Sequence, residues 1–440
     1  MPHGLYISIP FCRTKCSYCN FASDVFSKSA YENYVARLLE DIARSHQLAS
    51  DLGCTLEETA DSIYLGGGTP SILDSAQLLR IFAAVRDQFA ITPDAEITVE
   101  CAPGTLAPTL IETLQQCGVN RVSLGVQSFV DQEARSVGRL HERGTVLEEI
   151  ARLREAGLDN INVDLIAGLP HETAESWAFS VSETIATDVP HASVYMLEVD
   201  EDSRLGKELI AGGARYHAHF VPDDDATADF YQQACEMLET SGMPQYEISN
   251  FARCKAQSRH NLKYWTRQPY LGFGVDAHSM LSRLISEGDN CQALRFATHD
   301  SLEAYMNGAP HKVTLVSDRE AIEESFFLGL RLNSGIELDI LRKNFKDCHP
   351  APKFVKGAGP ALRLNPSSRL RPTIRAEAVA IWEAAICGSV QDGLLEQRGT
   401  MLRLTARGRL LSNEVFARFL IEEKEEKEET RVGTIHANPR

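Results

Sequence analysis

Six short apolar runs, separated by stretches with a helical period, constrain this chain more than any other feature. The runs are LYISIP from Leu5, SIYLGG from Ser62, EITVEC from Glu96, RVSLGV from Arg121, NINVDLIAG from Asn160 and ASVYMLEV from Ala192. Their β-branched and aromatic residues favour strands. Between them, Leu78, Leu79, Phe82, Val85 and Phe89 share one helical face, and so do Val146, Leu147, Ile150 and Leu153. Thr109 to Cys117 reads as a further helix, and Gly118 and Gly157 stand where C-caps are wanted. Strand alternating with helix implies a parallel sheet. Six such units are too few for a closed eight-unit barrel. The expected fold is therefore α/β, an open partial (βα)6 barrel.

From about residue 228 the alternation fades. Asp229 to Gly242 reads as a helix, followed by YEISNFAR, an irregular stretch holding RHNLKYW, and PYLGFGVDAHS. A helical region starts near Arg319. Residues 349–372 are rich in Pro, Ser and basic residues and read as a loop or insertion. Glu377 to Cys387 is helical, GLLEQRGTMLRLT reads as a hairpin, and a last helix runs from Gly408 to Phe419. Helix then hairpin suggests a C-terminal α+β unit, helical and winged-helix-like. The run EEKEEKEET from Glu422 has no core face and reads as a solvated tail. The expected divisions are a barrel core over 1–235, an extension over 236–310, a C-terminal domain over 311–425 and a polar tail over 426–440.

Charge narrows the partners. The chain of 440 residues carries 44 Lys and Arg against 61 Asp and Glu, so 44 − 61 = −17. Such a surface repels phosphates and argues against nucleic acid, the winged-helix-like unit included; a lid or partner-docking role suits that unit better. No stretch approaches the ~18 consecutive apolar residues of a spanning helix. The start, MPHGLYISIPF, lacks the basic-then-apolar order of a signal peptide. Eleven cysteines without an export signal imply a reducing, cytoplasmic compartment. Cys54, Cys101, Cys117, Cys235, Cys254, Cys291, Cys348 and Cys387 are scattered and read as small, mostly buried hydrophobes.

Cys12, Cys16 and Cys19 form C-x3-C-x2-C directly after the first strand. Thiolates bind zinc or iron-sulfur clusters. Structural zinc wants four ligands, and no second CxxC pair is near. Three thiolates on a four-iron cube leave one iron open to a ligand. Gly66, Gly67 and Gly68, with Thr69 and Pro70, end the second strand, where glycine lets backbone approach a ligand. Gly66, Glu100, Gln127, Asp164 and Glu198 all lie near the C-terminal ends of successive strands, the functional face of βα barrels.

The cysteine loop resembles that of the radical S-adenosylmethionine superfamily. LYISIPFC, GGGTPS, SLGVQSF, VDLIAGLP, YEISNFAR and RHNLKYW together resemble its oxygen-independent coproporphyrinogen III oxidase group, from Leu5 to about Phe419. The resemblance implies a [4Fe–4S] cluster on Cys12, Cys16 and Cys19, with S-adenosylmethionine on the open iron. It implies that Tyr6 stacks on or hydrogen-bonds this ligand and that Tyr18 offers its backbone to the adenine. Gly67, Gly68 and Thr69 line the methionine, while Glu100, Gln127, Arg139 and Asp164 hold the polar ends, with further contacts near Glu198 and His278. Oxidases of the group carry a further cysteine where this chain has Phe21. Phe21 and RHNLKYW resemble the HemW subgroup, described as heme chaperones that serve a respiratory hemoprotein. That implies heme near His260, with Tyr264 and Trp265 as flat surface and Arg259 and Lys263 for the propionates. His217 and His219, spaced as HAH, are a rival ligand pair, and His278 is a third candidate. A coproporphyrinogen decarboxylase and an iron-sulfur sensor or scaffold remain alternatives, and a homodimer stays open.

Overall fold

The computed structural model describes residues 1–284, 291–347 and 372–421. Cys348, the segment 349–371 of the expected insertion and the tail over 426–440 lie outside the described residues. The six runs form β1 (His3–Ile9), β2 (Thr59–Gly67), β3 (Ala90–Cys101), β4 (Arg121–Gln127), β5 (Ile161–Ala167) and β6 (His191–Met196). They pair in parallel and in chain order, as a partial barrel requires. Helices connect them, among them Ser75–Gln88, which opens on a capping box between Asp74 and Gln77.

Alternation at period two sorts each strand. Leu5, Ile7, Ile9, Ile63, Leu65, Val99, Val122, Leu124, Val163 and Leu165 fall on one face, where they are buried in the main apolar core. The other register is polar. Tyr6 pairs with Tyr64, Ser62 with Glu96, Glu100 with Ser123, and Asp164 with Ser193. A polar lining is costly to bury unless its groups find partners. Here the Asn162 amide donates to Ser123 Oγ at 2.7 Å, Asp164 Oδ1 at 2.7 Å and Ser193 Oγ at 3.1 Å. His191 completes the chain, bonded to Asn162 Oδ1 at 2.6 Å and to the Tyr246 hydroxyl at 3.0 Å. The barrel interior is thus a hydrogen-bonded polar layer wrapped in an apolar one.

Past residue 228 the chain is more regular than expected. RHNLKYW is a helix, Arg259–Trp265, whose N-terminus is capped by Ser258. Two short strands, β7 (Gln245–Glu247) and β8 (Asn250–Ala252), join the β6 edge. PYLGFG supplies β9 (Tyr270–Phe273), which runs parallel to β1. The sheet then continues through β10 (His278–Ser282), β11 (Cys291–Ala297) and β12 (Lys312–Ser317), all antiparallel. The extension is therefore part of the same twelve-stranded sheet. Glycines at 272 and 274 hide β9 from a periodicity reading. Gly272 packs against the His278 carbonyl, where a Cβ would collide.

The C-terminal unit has its own core around Phe326, Leu330, Trp382, Leu402 and Phe419. Its antiparallel sheet orders β13 (Ile336–Glu337), β14 (Leu395–Arg398) and β15 (Met401–Leu404) as β13-β15-β14. The helix before the hairpin is longer than expected, Pro372–Gln391. The last helix is two, Ala406–Leu410 and Ser412–Ala417, broken at Leu411. Among the described residues no helix is long and apolar enough to cross a membrane.

Candidate functional site

The cysteine loop leaves β1 and is tied down by backbone on three sides. Cys12 N donates to Asp24 O at 3.0 Å, Ser17 N to Val137 O at 3.1 Å, and Leu205 N to Ser17 O at 2.8 Å. Cys12, Cys16 and Cys19 are free thiols. Burial raises the pKa of Cys12 and Cys19, and the nearby charges of Arg139 and Lys15 respectively work against that rise. Among the described residues no three His, Cys, Asp or Glu side chains close on one point, as a single metal ion would need. A cube takes one thiolate at each of its separate irons, so three spaced thiols on one loop fit it.

Beside the loop, Gly66–Thr69 is laid along the end of β1. Gly68 N donates to Ile9 O at 2.9 Å and Thr69 N to Phe11 O at 2.8 Å. The Thr69 hydroxyl lies 3.8 Å from Cys12 Sγ. Gly67 has φ +102°, a region that glycine adopts without strain, and its N–H donates to Glu100 Oε2 at 3.2 Å. Tyr64 donates to the other Glu100 oxygen at 2.7 Å and stacks on Tyr6. Arg139 and Gln127 lie over Gly125, where a Cβ would stand 2.6 Å from Arg139 Nη2. Arg139 sits in the field of Tyr18, Cys16, Asp164 and Cys12, and its Nε is buried without a hydrogen-bond partner. An orphaned guanidinium N–H beside two of the thiols suits an anionic ligand group at the barrel mouth.

Tyr6, Tyr18, Gly67, Gly68, Thr69, Glu100, Gln127, Arg139 and Asp164 are thus brought to one mouth with the three cysteines. Two further expected contacts have exposed side chains. Glu198 is exposed, two residues past β6. His278 is also exposed, and it lines one cavity with Tyr6 and Gly67. Tyr64 was not anticipated, although stepping by two from Ser62 along β2 reaches it.

Burial pushes the Glu100 carboxyl up to about 7. A carboxyl raised in the folded state stabilises fully below its unfolded pKa near 4.5, and that stability is lost as pH rises through 7. Urea midpoints of the ligand-free protein should fall between these pH values. Glu100→Gln should flatten the slope; an unchanged slope would assign it to another group.

The RHNLKYW helix starts against β2 and β3. Glu96 of β3 accepts from Arg259 N and His260 N, each at 3.0 Å, and so holds the helix start. His260 is 1% exposed. Its Nδ1 is bonded to Ser62 Oγ at 3.0 Å and its Nε2 to the Tyr264 hydroxyl at 2.8 Å. Burial lowers its pKa to about 3, so the ring is neutral. With both nitrogens taken, His260 is placed to orient Tyr264, in place of the iron ligand expected from sequence. Lys263 is buried against Asp61 at 2.7 Å, and Arg259 lies at the surface with one Nη 3.4 Å from Asp94. Trp265 faces Arg331, whose guanidinium lies 4.4 Å from the ring centroid. His217 Nδ1 lies 3.3 Å from His171 Nε2, and His219 packs on the half-exposed Phe220.

Between the loop and β9 opens a cavity of about 340 Å³ lined by Tyr6, Ser8, Phe21, Ala22, Gly67, Tyr264, Tyr270, Val275, Asp276 and His278. Tyr264 meets Tyr270 edge-on, with ring centroids 4.6 Å apart. The RHNLKYW helix reaches the site through this wall.

A family model described as the Radical SAM superfamily matches residues 6–181. Heme chaperone HemW of Lactococcus lactis is 32% identical over 349 residues, covering 78% of this chain and 86% of that protein. Heme chaperone HemW of Bacillus subtilis is 30% identical over 419 residues, covering 94% of this chain and 98% of its own length. The solved structure of the coproporphyrinogen III oxidase HemN from Escherichia coli, a radical SAM enzyme, superposes with a TM-score of 0.75 at 22% identity. It covers 95% of this chain and 90% of that one, and at this identity it shows the fold. On the extent of these matches, the chain belongs to the HemW family of radical SAM proteins.

Proposed function

We propose that this protein is a cytoplasmic heme carrier that holds heme beside an iron-sulfur site and delivers it to a respiratory hemoprotein. The observation that carries this reading is the extent of the match to curated relatives named heme chaperones, with the thiols of Cys12, Cys16 and Cys19 held free on one loop. Cys12, Cys16 and Cys19 would hold the [4Fe–4S] cluster. Tyr6, Tyr18, Gly67, Gly68, Thr69, Glu100, Gln127, Arg139 and Asp164 would hold S-adenosylmethionine. When bound, that pair supplies reductive cleavage of a sulfonium. The chain's own residues bind and orient. Gly67 and Gly68 let backbone approach, Glu100 offers a carboxyl to an amino group, and Arg139 faces a carboxylate. Phe21, 63% exposed, lends the cavity rim a flat apolar face in place of a thiol.

Anaerobic titration of cluster-reconstituted protein with heme, followed at the Soret band, tests this. Saturation near one heme per chain is expected, with no decarboxylation of coproporphyrinogen III in the same preparation. Absence of saturable binding together with decarboxylation would turn the reading to the oxidase.

A further inference from the structure

Aromatic rings run in a contiguous arc from β1 to β9. Tyr6 stacks on Tyr64 with centroids 6.1 Å apart, and Tyr64 lies 5.3 Å from His260. His260 lies 5.2 Å from Tyr264, and Tyr264 lies 4.6 Å from Tyr270. Tyr6, Tyr264 and Tyr270 line one cavity together with Ser8 and Gly67. Tyr6 and Gly67 belong to the set read above as holding S-adenosylmethionine. The RHNLKYW helix therefore presents Tyr264 to the same space. His260, the middle ring of the arc, stands behind that wall and is 1% exposed.

The helix is anchored around this ring. Glu96 accepts its first N–H groups, and Lys263 Nζ donates to the Pro2 carbonyl at 3.1 Å. At Gly4 of β1 a Cβ would stand 2.8 Å from Lys263 Cδ and 3.3 Å from His260 Cε1, so glycine lets the helix lie this close. A neutral imidazole donates through one nitrogen and accepts at the other, and a hydroxyl can answer either way. Ser62, fully buried in β2, and Tyr264 thus bond to the His260 ring at once, at 3.0 and 2.8 Å. Turning the ring would strand a buried hydroxyl, which is costly. The Ser62–His260–Tyr264 chain so fixes where the Tyr264 ring stands.

We propose that Tyr264 is a wall residue of the S-adenosylmethionine site and that His260 is its positioning residue, acting on the ligand only through the Tyr264 hydroxyl. This rests on the S-adenosylmethionine reading above. It gives the RHNLKYW motif a task in which its histidine touches neither metal nor ligand. The lining suits the ligand's charge, since aromatic rings attract an organic cation such as a sulfonium, and Asp276 adds a carboxyl to the same cavity.

The test uses full-length, cluster-reconstituted protein and S-adenosylmethionine itself, with Kd read by anaerobic equilibrium dialysis. The variants are Tyr264→Phe, His260→Gln, His260→Ala and the double variant Tyr264→Phe with His260→Ala. Iron and sulfide analysis confirms that each carries the same cluster load. Tyr264→Phe keeps the ring and loses its tether, so binding should weaken about 5-fold, the worth of one hydrogen bond. His260→Ala should weaken it by about 5- to 10-fold. His260→Gln keeps a polar group within reach of the hydroxyl and should stay within about 2-fold of wild type. The double variant should be no weaker than His260→Ala, because both changes cut the same bond. An unchanged Kd in Tyr264→Phe and His260→Ala would overturn this assignment and leave the S-adenosylmethionine reading standing. Losses that add in the double variant would overturn the positioning role of His260. Should His260→Ala take up no cluster, Tyr264→Phe and His260→Gln decide: weakening in the first beside retention in the second supports the assignment, and wild-type affinity in the first overturns it. No binding by wild type would sink the S-adenosylmethionine reading itself.

Discussion

Cys16→Ala should leave the protein without iron or sulfide after anaerobic reconstitution. The two remaining thiolates cannot hold three corners of a cube, and Cys16 is the buried member of the set. The loss should be specific, because the loop's backbone is fastened independently of its sulfurs. Cys12 N to Asp24 O, Ser17 N to Val137 O and Leu205 N to Ser17 O all survive the substitution. Far-ultraviolet circular dichroism should therefore match wild type. Cys254→Ala removes an exposed thiol far along the chain and should keep the full iron load. Iron and acid-labile sulfide analysis, with electron paramagnetic resonance of the reduced protein, reads the result. An undiminished load in Cys16→Ala would refute the site.

Glu96→Ala should destabilise the fold by about 3–5 kcal/mol, because it strands a buried charge. Glu96 is 6% exposed, and Arg121 of β4, 3% exposed, lies 4.0 Å from its carboxylate. The same carboxylate accepts the first N–H groups of the RHNLKYW helix, where a negative charge also meets the positive end of the helix dipole. Removing it takes a countercharge from a buried guanidinium whose Nε and Nη1 already lack hydrogen-bond partners, and leaves the helix start without its acceptor. Equilibrium urea unfolding measures the cost. Glu96→Gln keeps an acceptor and should lose less. A change in Glu96→Ala below about 1 kcal/mol, the range of ordinary surface substitutions, would mean that water replaces the carboxylate.

Much of the architecture could be read before any coordinates. β1 to β6 and the long helices between them follow from period two and period 3.6, because each element buries its apolar residues on one side. The mouth residues Glu100, Gln127 and Asp164 stood out as polar residues in apolar strands. The deeper layer did not. Glu96, Asn162 and His191 look like strand polarity facing water, and only closure of the sheet turns them inward. β9 escaped because four residues carrying a glycine have no period to detect.

What the sequence determined alone was local: three thiols on one loop, a glycine turn beside them, and six strands whose alternation demanded an inside and an outside. Spacing along one short segment suffices for those, since the groups are neighbours in the chain. The tertiary structure decided the allocation of the histidines. His260 lies 198 residues from its partner Ser62, and that contact takes the nitrogen that local motif reading would have spent on iron. His278 stands at a cavity assembled from β1, the cysteine loop and β9. A ligand's availability depends on which partners fold against it, and those partners come from distant parts of the chain.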